Sequence, residues 1–172
     1  CPFLCTLSID EEETLDKEAL LSFKASINGD PLRVLSSWSS STHSFPCNSS
    51  WAGVTCNNNN TTNQNGTRRV ISLDLRQSNL TGTISPYLSN LTFLTYLNLS
   101  INGLTGPIPQ QLGQLSSLTY LDFKENLLSG SIPSSIGNCT SLVWLDLSKN
   151  IDVDGSIPPS LGRLTALEML QI

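Results

Sequence analysis

Leu97–Pro109, LNLSINGLTGPIP, is the stretch that decides the fold, because it comes back. Its leading leucine has counterparts at Leu73, Leu121, Leu145 and Leu170, a spacing of 24, 24, 24 and 25 residues. A fixed period of that size marks a solenoid, in which each repeat is one supersecondary unit that buries its apolar face only against its neighbours. Within a repeat, Leu97 and Leu99 point inward from a short strand and the residues between and beside them point out. Asn102, Asn126 and Asn150 follow where the chain leaves the strand, and a side-chain amide there can satisfy backbone groups of adjacent turns as a ladder. Ser78 takes that position in the first repeat. TGPIP, SGSIP and DGSIP then redirect the backbone, with glycine allowing a tight turn and proline fixing φ. Leu112, Leu115 and Leu118 pack inward on the convex side. Function in such a fold is expected on a repeated surface.

Only 13% of the 172 residues are charged and the formal net charge is -5, which argues against a nucleic-acid or anionic-membrane surface built from basic patches. No apolar run approaches the roughly 18 to 20 residues needed to span a bilayer. The opening CPFLCTLSI, residues 1–9, reads as the tail of a secretory signal peptide, with an ordered N-terminal arm as the alternative. Secretion is supported separately by acceptor patterns for N-glycosylation at Asn48, Asn59, Asn60, Asn65, Asn79, Asn90, Asn98 and Asn138. In an oxidising compartment Cys47 and Cys56, which flank NSSWAGVT, are the natural disulfide pair. Cys139 sits in the repeat body as a small apolar side chain, and Cys1 and Cys5 form either signal-peptide sequence or a local bridge. A zinc site would need more ligands at short spacing than the single histidine, His43, can complete, so neither metal nor cofactor is expected.

Residues 10–69 read as a capping domain and 70–172 as the array, with four full repeats and a fifth cut short. In DKEALLSFKASIN, from Asp16 to Asn28, the residues Ala19, Leu20, Phe23 and Ile27 fall on one helical stripe. Asp16 is expected to cap this helix, and Asn28, Gly29 and Pro31 to end it. The helix is expected to lie as a lid on the first repeat, with Leu32, Leu35, Trp38 and Trp51 filling the space beneath. NNNNTTNQNGTR, residues 57–68, reads as a solvated loop between two strand-forming flanks, Trp51 to Cys56 and Arg69 to Leu75.

These residues resemble a known family. LxLxxNxLxGxIP is the signature of plant-specific extracellular leucine-rich repeats, and ALLSFKASI, LSSW and CNSSWAGVTC together are similar to the N-terminal cap of plant leucine-rich-repeat receptor kinases. The resemblance covers Asp16 to Ile172, with one departure: Cys47 and Trp51 are farther apart than in the compact CxWxGVxC usual in that cap. It implies an α/β repeat fold, a right-handed leucine-rich-repeat solenoid with a helical, disulfide-bonded cap and a second short strand at GxIP. It also implies that the inner or lateral face binds a peptide or protein, and that a membrane span and a serine/threonine kinase domain follow in the full-length protein.

Enzyme chemistry is not expected of this chain, since one histidine and regularly spaced carboxylates give nothing to activate a nucleophile. Binding chemistry can be argued on the concave face. Ser72, Tyr96, Tyr120, Trp144 and Met169 precede the leading leucines and should stack as a partly aromatic stripe, at roughly 4.8 Å per turn. Beside it run Asp74, Asn98, Asp122, Asp146 and Gln171, then Arg76, Ser100, Lys124 and Ser148. These columns suit an extended peptide with basic or polar groups. Part of the pattern is framework, since Tyr, Asp and Ser neighbours can satisfy one another across turns, and a glycan on Asn98 would obstruct the face. Three roles fit: a receptor-like kinase or receptor-like protein that senses an extracellular peptide or protein and signals through co-receptor pairing; a secreted inhibitor resembling polygalacturonase-inhibiting proteins; or a short co-receptor ectodomain. Each places the chain on the extracellular side of the plasma membrane or in the apoplast.

Overall fold

The computed structural model describes residues 9–48, 50–57, 68–150 and 152–172, with side chains from Glu13 onward. Its elements are α1 (Ile9–Ser26), β1 (Ile27–Gly29), β2 (Val54–Cys56), β3 (Val70–Asp74), β4 (Thr81–Thr83), β5 (Tyr96–Asn98), β6 (Gly103–Pro107), β7 (Tyr120–Asp122), β8 (Leu127–Ser131), β9 (Trp144–Asp146), β10 (Asp152–Asp154) and β11 (Met169–Gln171). They form two sheets. One runs β2-β3-β5-β7-β9-β11 and the other β1-β4-β6-β8-β10. Every repeat-to-repeat pairing is parallel, while β1 and β2 join the two sheets antiparallel from the cap. The second sheet thus ends on the GxIP segments. Five-residue 3₁₀ turns such as Gln110–Gln114 and Ser134–Asn138 close the convex side.

One continuous core runs the length of the chain, from Phe23 and Trp38 in the cap through Leu73, Leu97, Leu121 and Leu145. The convex leucines Leu112, Leu115 and Leu118 are fully buried in it. The asparagine ladder forms: Asn126 Nδ2 donates to the carbonyls of Leu99 and Phe123 at 3.0 Å, and its Oδ1 accepts from Leu104 N–H at 3.1 Å. Asn102 and Asn150 repeat the arrangement. Ser78 has no such reach, and its hydroxyl donates only to Arg76 in the same turn. The residue before each ladder position, Gln77, Ile101, Glu125 or Lys149, carries a φ between 56° and 59°, which turns the chain from one sheet to the other.

The cap differs from expectation at two points. The helix starts at Ile9, so Asp16 lies in its middle rather than at its cap. There it is buried and pairs bidentately with Arg69, Nη2 to Oδ1 at 2.8 Å and Nε to Oδ2 at 3.0 Å, while Oδ2 also accepts Val70 N–H at 2.9 Å. A carboxylate with three donors from the first repeat is worth more to the fold as a fastener than as a cap. The stop comes at Ser26, because Ile27–Gly29 leaves the helix to pair with β4. Leu32 does not fill the space below the lid; it is 61% exposed, displaced by Leu35, Trp38 and Trp51, which are buried. Trp38 stacks on Trp51 with ring centres 5.5 Å apart, and each indole N–H is satisfied, by Ala52 O and Ser44 Oγ respectively. Gly82 is required where the lid meets the array, since a Cβ there would stand 2.3 Å from Ser26 O. The Cys47–Cys56 disulfide is formed and the flanking strands β2 and β3 pair as anticipated. Cys139 is a buried free thiol whose pKa burial pushes up to about 11, so it is inert at neutral pH. Cys1, Cys5 and the acceptor residues Asn59, Asn60 and Asn65 lie outside the described residues.

Candidate ligand-binding face

Parallel in-register pairing carries each outward position of one strand beside its counterpart in the next. Ser72, Tyr96, Tyr120, Trp144 and Met169 are paired in that order across β3, β5, β7, β9 and β11. The three aromatic rings stack: Tyr96 on Tyr120 at 4.4 Å and 11°, Tyr120 on Trp144 at 5.5 Å and 16°. Such stacks contribute about 0.5–1.5 kcal/mol per pair beyond area burial and hold the rings as a rigid, half-buried rail.

The second column is brought alongside, with Asp74, Asn98, Asp122 and Asp146 in register. Their environments differ along the column. Asp74 is exposed and caps Arg76 N–H, whereas Asn98, Asp122 and Asp146 are buried. Several polar bonds run within a strand: Asn98 Nδ2 donates to Tyr96 Oη at 3.1 Å, Tyr120 Oη–H donates to Asp122 Oδ2 at 3.2 Å, and Ser100 and Ser148 donate to Asn98 and Asp146. Between turns the rings stack, and the hydroxyls of Tyr96 and Tyr120 meet beside that stack. Burial raises the Asp122 pKa above the ordinary carboxylate range, helped by the neighbouring Asp146 charge and opposed by the Lys124 amide, the Tyr120 hydroxyl and the Lys124 charge. Burial and the Asp122 charge also push the Tyr120 phenol upward, so it stays a donor at every physiological pH. Arg76 is exposed and Lys124 half-exposed in the third column, with Ser100 and Ser148 between and beyond them. The sequence therefore placed all nine candidate binding residues on one face.

Acceptor asparagines fall into two environments. Asn48, Asn79, Asn90 and Asn138 are exposed. Asn98 is 1% exposed with its amide nitrogen already donating to Tyr96, so in the folded chain it is framework. A feature the sequence reading passed over is a groove of ≈ 610 Å³ on the lateral side, walled by Ile84, Pro86, Pro107, Pro109 and Pro133. The signal in the sequence is the prolines of the GxIP segments, which wall this groove as well as steer the backbone.

Comparison with known proteins agrees with this architecture. The family described as leucine rich repeat N-terminal domain matches residues 14–57, and leucine rich repeat families match 69–91 and 92–151. The receptor kinase-like protein Xa21 of Oryza sativa subsp. japonica is 46% identical over 87 residues, 51% of this chain and 8% of its own length. This chain therefore spans about 8% of that curated relative, and the shared part is leucine-rich-repeat sequence with no kinase domain. Among solved structures, the PEPR1–AtPEP1 complex superposes with a TM-score of 0.80 at 32% identity, covering 91% of this chain and 21% of that one. The BIR2 ectodomain of Arabidopsis thaliana superposes with a TM-score of 0.73 at 33% identity, covering 90% of this chain and 77% of that one. With its cap, its 24-residue turns and a match over most of the BIR2 ectodomain, the chain belongs to the family of plant leucine-rich-repeat receptor-kinase ectodomains.

Proposed function

We propose that the concave face built on Tyr96, Tyr120 and Trp144 recognises an extracellular peptide or protein, as the front part of a plant receptor-like kinase or receptor-like protein. The stacked aromatic rail carries the reading. Rigid, part-buried aromatic rings flanked by polar groups are the usual material of binding hot spots, because they offer area at small entropic cost. A partner in extended conformation can lie along the rail and meet Asp74, Asp122, Asp146, Arg76 and Lys124 from the columns beside it. Structural neighbours have been solved as complexes, the plant peptide hormone receptor RGFR1 with RGF2 and BIR3 with SERK2. Those neighbours support a peptide or protein ligand, and pairing with a second leucine-rich-repeat kinase as the step that turns binding into a signal. Exposed Asn48, Asn79, Asn90 and Asn138 would carry glycans away from the rail.

The test is selection of a displayed library of random heptapeptides on this chain and on a Tyr96, Tyr120, Trp144→Ala variant whose folding is verified by its melting curve. Peptides enriched on the wild type should lose binding to the variant by at least about tenfold. Equal enrichment on a folded variant would move the site off the rail.

A further inference from the structure

The polar hydrogens of the rail can be followed one by one. Asn98 Nδ2 donates to Tyr96 Oη at 3.1 Å in β5, and Tyr120 Oη–H donates to Asp122 Oδ2 at 3.2 Å in β7. Between these ends the two phenol hydroxyls meet, because the rings stack with centres 4.4 Å apart. Tyr120 has committed its hydrogen to Asp122, so at that meeting Tyr96 is the donor and Tyr120 the acceptor. The result is one directed chain, from Asn98 through Tyr96 and Tyr120 to Asp122. It starts on an NH₂ group that only donates and ends on an ionised carboxylate that only accepts.

Both ends are fixed within their own strands. Asn98 Oδ1 accepts Ser100 N–H and Oγ–H at 3.0 and 2.7 Å, which leaves Nδ2 toward Tyr96. Asp122 Oδ1 accepts Lys124 N–H at 3.0 Å, which leaves Oδ2 toward Tyr120. Asn98 and Asp122 are buried, whereas the two rings are half-buried and carry the edge of the chain to the concave surface. The third ring adds no donor there, since Trp144 Nε1 is buried with no acceptor among the described residues. The polar hydrogens of the rail are thus withheld from the surface, those of the tyrosines by the chain and that of Trp144 by burial.

Deepening the proposed function, on which it rests, we infer that Asp122 is a specificity-determining residue: by ending the hydroxyl chain it keeps the O–H donors of Tyr96 and Tyr120 from the ligand, so the peptide stretch over these rings is taken through apolar surface and N–H donors, not through carboxylates or carbonyls. A ligand acceptor placed there meets oxygen lone pairs and a negative end group, and covering it without a donor is costly. Changing the end group changes the preference. In Asp122→Asn the Lys124 N–H holds the single amide oxygen, as Ser100 N–H does in Asn98, and turns Nδ2 to Tyr120 Oη. With a donor at each end, the two hydroxyls cannot both find acceptors inside the chain, and one O–H turns out to the ligand.

The probe is a displayed library of random heptapeptides, selected in parallel at pH 7 on the wild-type chain and on Asp122→Asn, both verified as folded by their melting curves. The pool from the variant should gain Asp, Glu, Asn or Gln at one position, and a synthetic peptide from it should bind the variant about tenfold more tightly than the wild type. Loss of the Asp122 charge favours the same peptides, so the pair is also compared in a chain carrying Tyr96→Phe and Tyr120→Phe, where rings remain to stack but no hydroxyl can be released. There the gain should fall below about twofold. A gain of equal size with and without the hydroxyls would assign the effect to charge and overturn the inference, as would two pools that do not differ; in either case the rail stands. Peptides from both pools that bind the Tyr96, Tyr120, Trp144→Ala variant undiminished would overturn the rail and this inference with it.

Discussion

The cap and the repeat body are held by opposite strategies. After the first turn, where Ser78 stands at the ladder position, the body repeats one modest device: an inward pair of apolar residues, an asparagine bridging two turns, a glycine-proline corner. No single copy is indispensable, because the next turn has its own. The cap holds its place with contacts that occur once: Asp16 with Arg69 and Val70, the Trp38–Trp51 stack, the Cys47–Cys56 bridge. A solenoid has no partner for its first turn, so whatever covers it must be fastened by unique means. The comparison predicts concentrated damage in the cap and graded damage in the body.

The largest effect is expected from Asp16→Ala. It leaves the Arg69 guanidinium, 4% exposed, without its carboxylate and Val70 N–H without an acceptor, a loss of about 3–5 kcal/mol. Chemical denaturation should register that loss, and amide exchange should place it at β2 and β3 before it reaches β9. A double Asp16→Leu, Arg69→Met variant should recover part of it, since both members of the buried pair are then replaced by apolar side chains. Uniform loosening along the whole array would contradict the division between cap and body.

Asn126→Ala is the corresponding wound in the body. It strands Leu104 N–H and removes one donor each from the carbonyls of Leu99 and Phe123, which keep the amides of Asn102 and Asn150, at about 1–3 kcal/mol. The expected signature is a lower denaturation midpoint with disturbance confined to the adjoining turns. Removing the disulfide by Cys47→Ser with Cys56→Ser should cost about 2.5 kcal/mol, the loop-closure value for a loop of this length. That cost should fall on the cap alone. A midpoint unchanged on reduction would mean that the tryptophan stack suffices to hold this loop.

The same division explains what could be read from the sequence. Period, strand positions, inward leucines, the asparagine ladder and all three concave columns are local and repeated, so each copy corroborates the others. The helix was found from Ala19, Leu20 and Phe23, but its start was misplaced because Asp16 has the chemistry of an N-cap and its true partner lies 53 residues away. Leu32 was assigned to the core on hydrophobicity alone, a property that cannot say which of several apolar residues near a cap wins the space. On the concave face the strand period put the three columns side by side, yet it did not show that the rings of Tyr96, Tyr120 and Trp144 stack across turns while Asn98 and Asp122 bond within their own strands. The buried Trp144 Nε1, which meets no acceptor among the described residues, was beyond it altogether, because a missing bond has no sequence signature until its neighbours' bonds are known.

Asp122 gives the smallest effect and the sharpest one, because repeat two already contains the experiment. Asn98 occupies the equivalent place, equally buried, and donates to Tyr96 where Asp122 accepts from Tyr120. Asp122→Asn should therefore fold with its hydrogen bonds conserved, the direction of one of them reversed. The sign of the stability change follows from burial, which raises the Asp122 pKa above its unfolded value with the Asp146 charge adding to the rise. The folded chain then holds this proton more tightly than the unfolded chain. Stability contributed by the group is present at low pH and is lost as pH rises from the ordinary carboxylate range through the raised value. At pH 7 the variant, which carries no charge to desolvate, should match or exceed the wild type by roughly 0.5 kcal/mol. The two denaturation curves should converge on acidification through that window. Asp146→Asn should pull the Asp122 titration back toward ordinary values, followed by the carboxyl carbon resonance. A wild type that gains stability over the variant as the pH rises would show that the Tyr120 and Lys124 hydrogen bonds outweigh burial, and that this column is a framework of satisfied carboxylates.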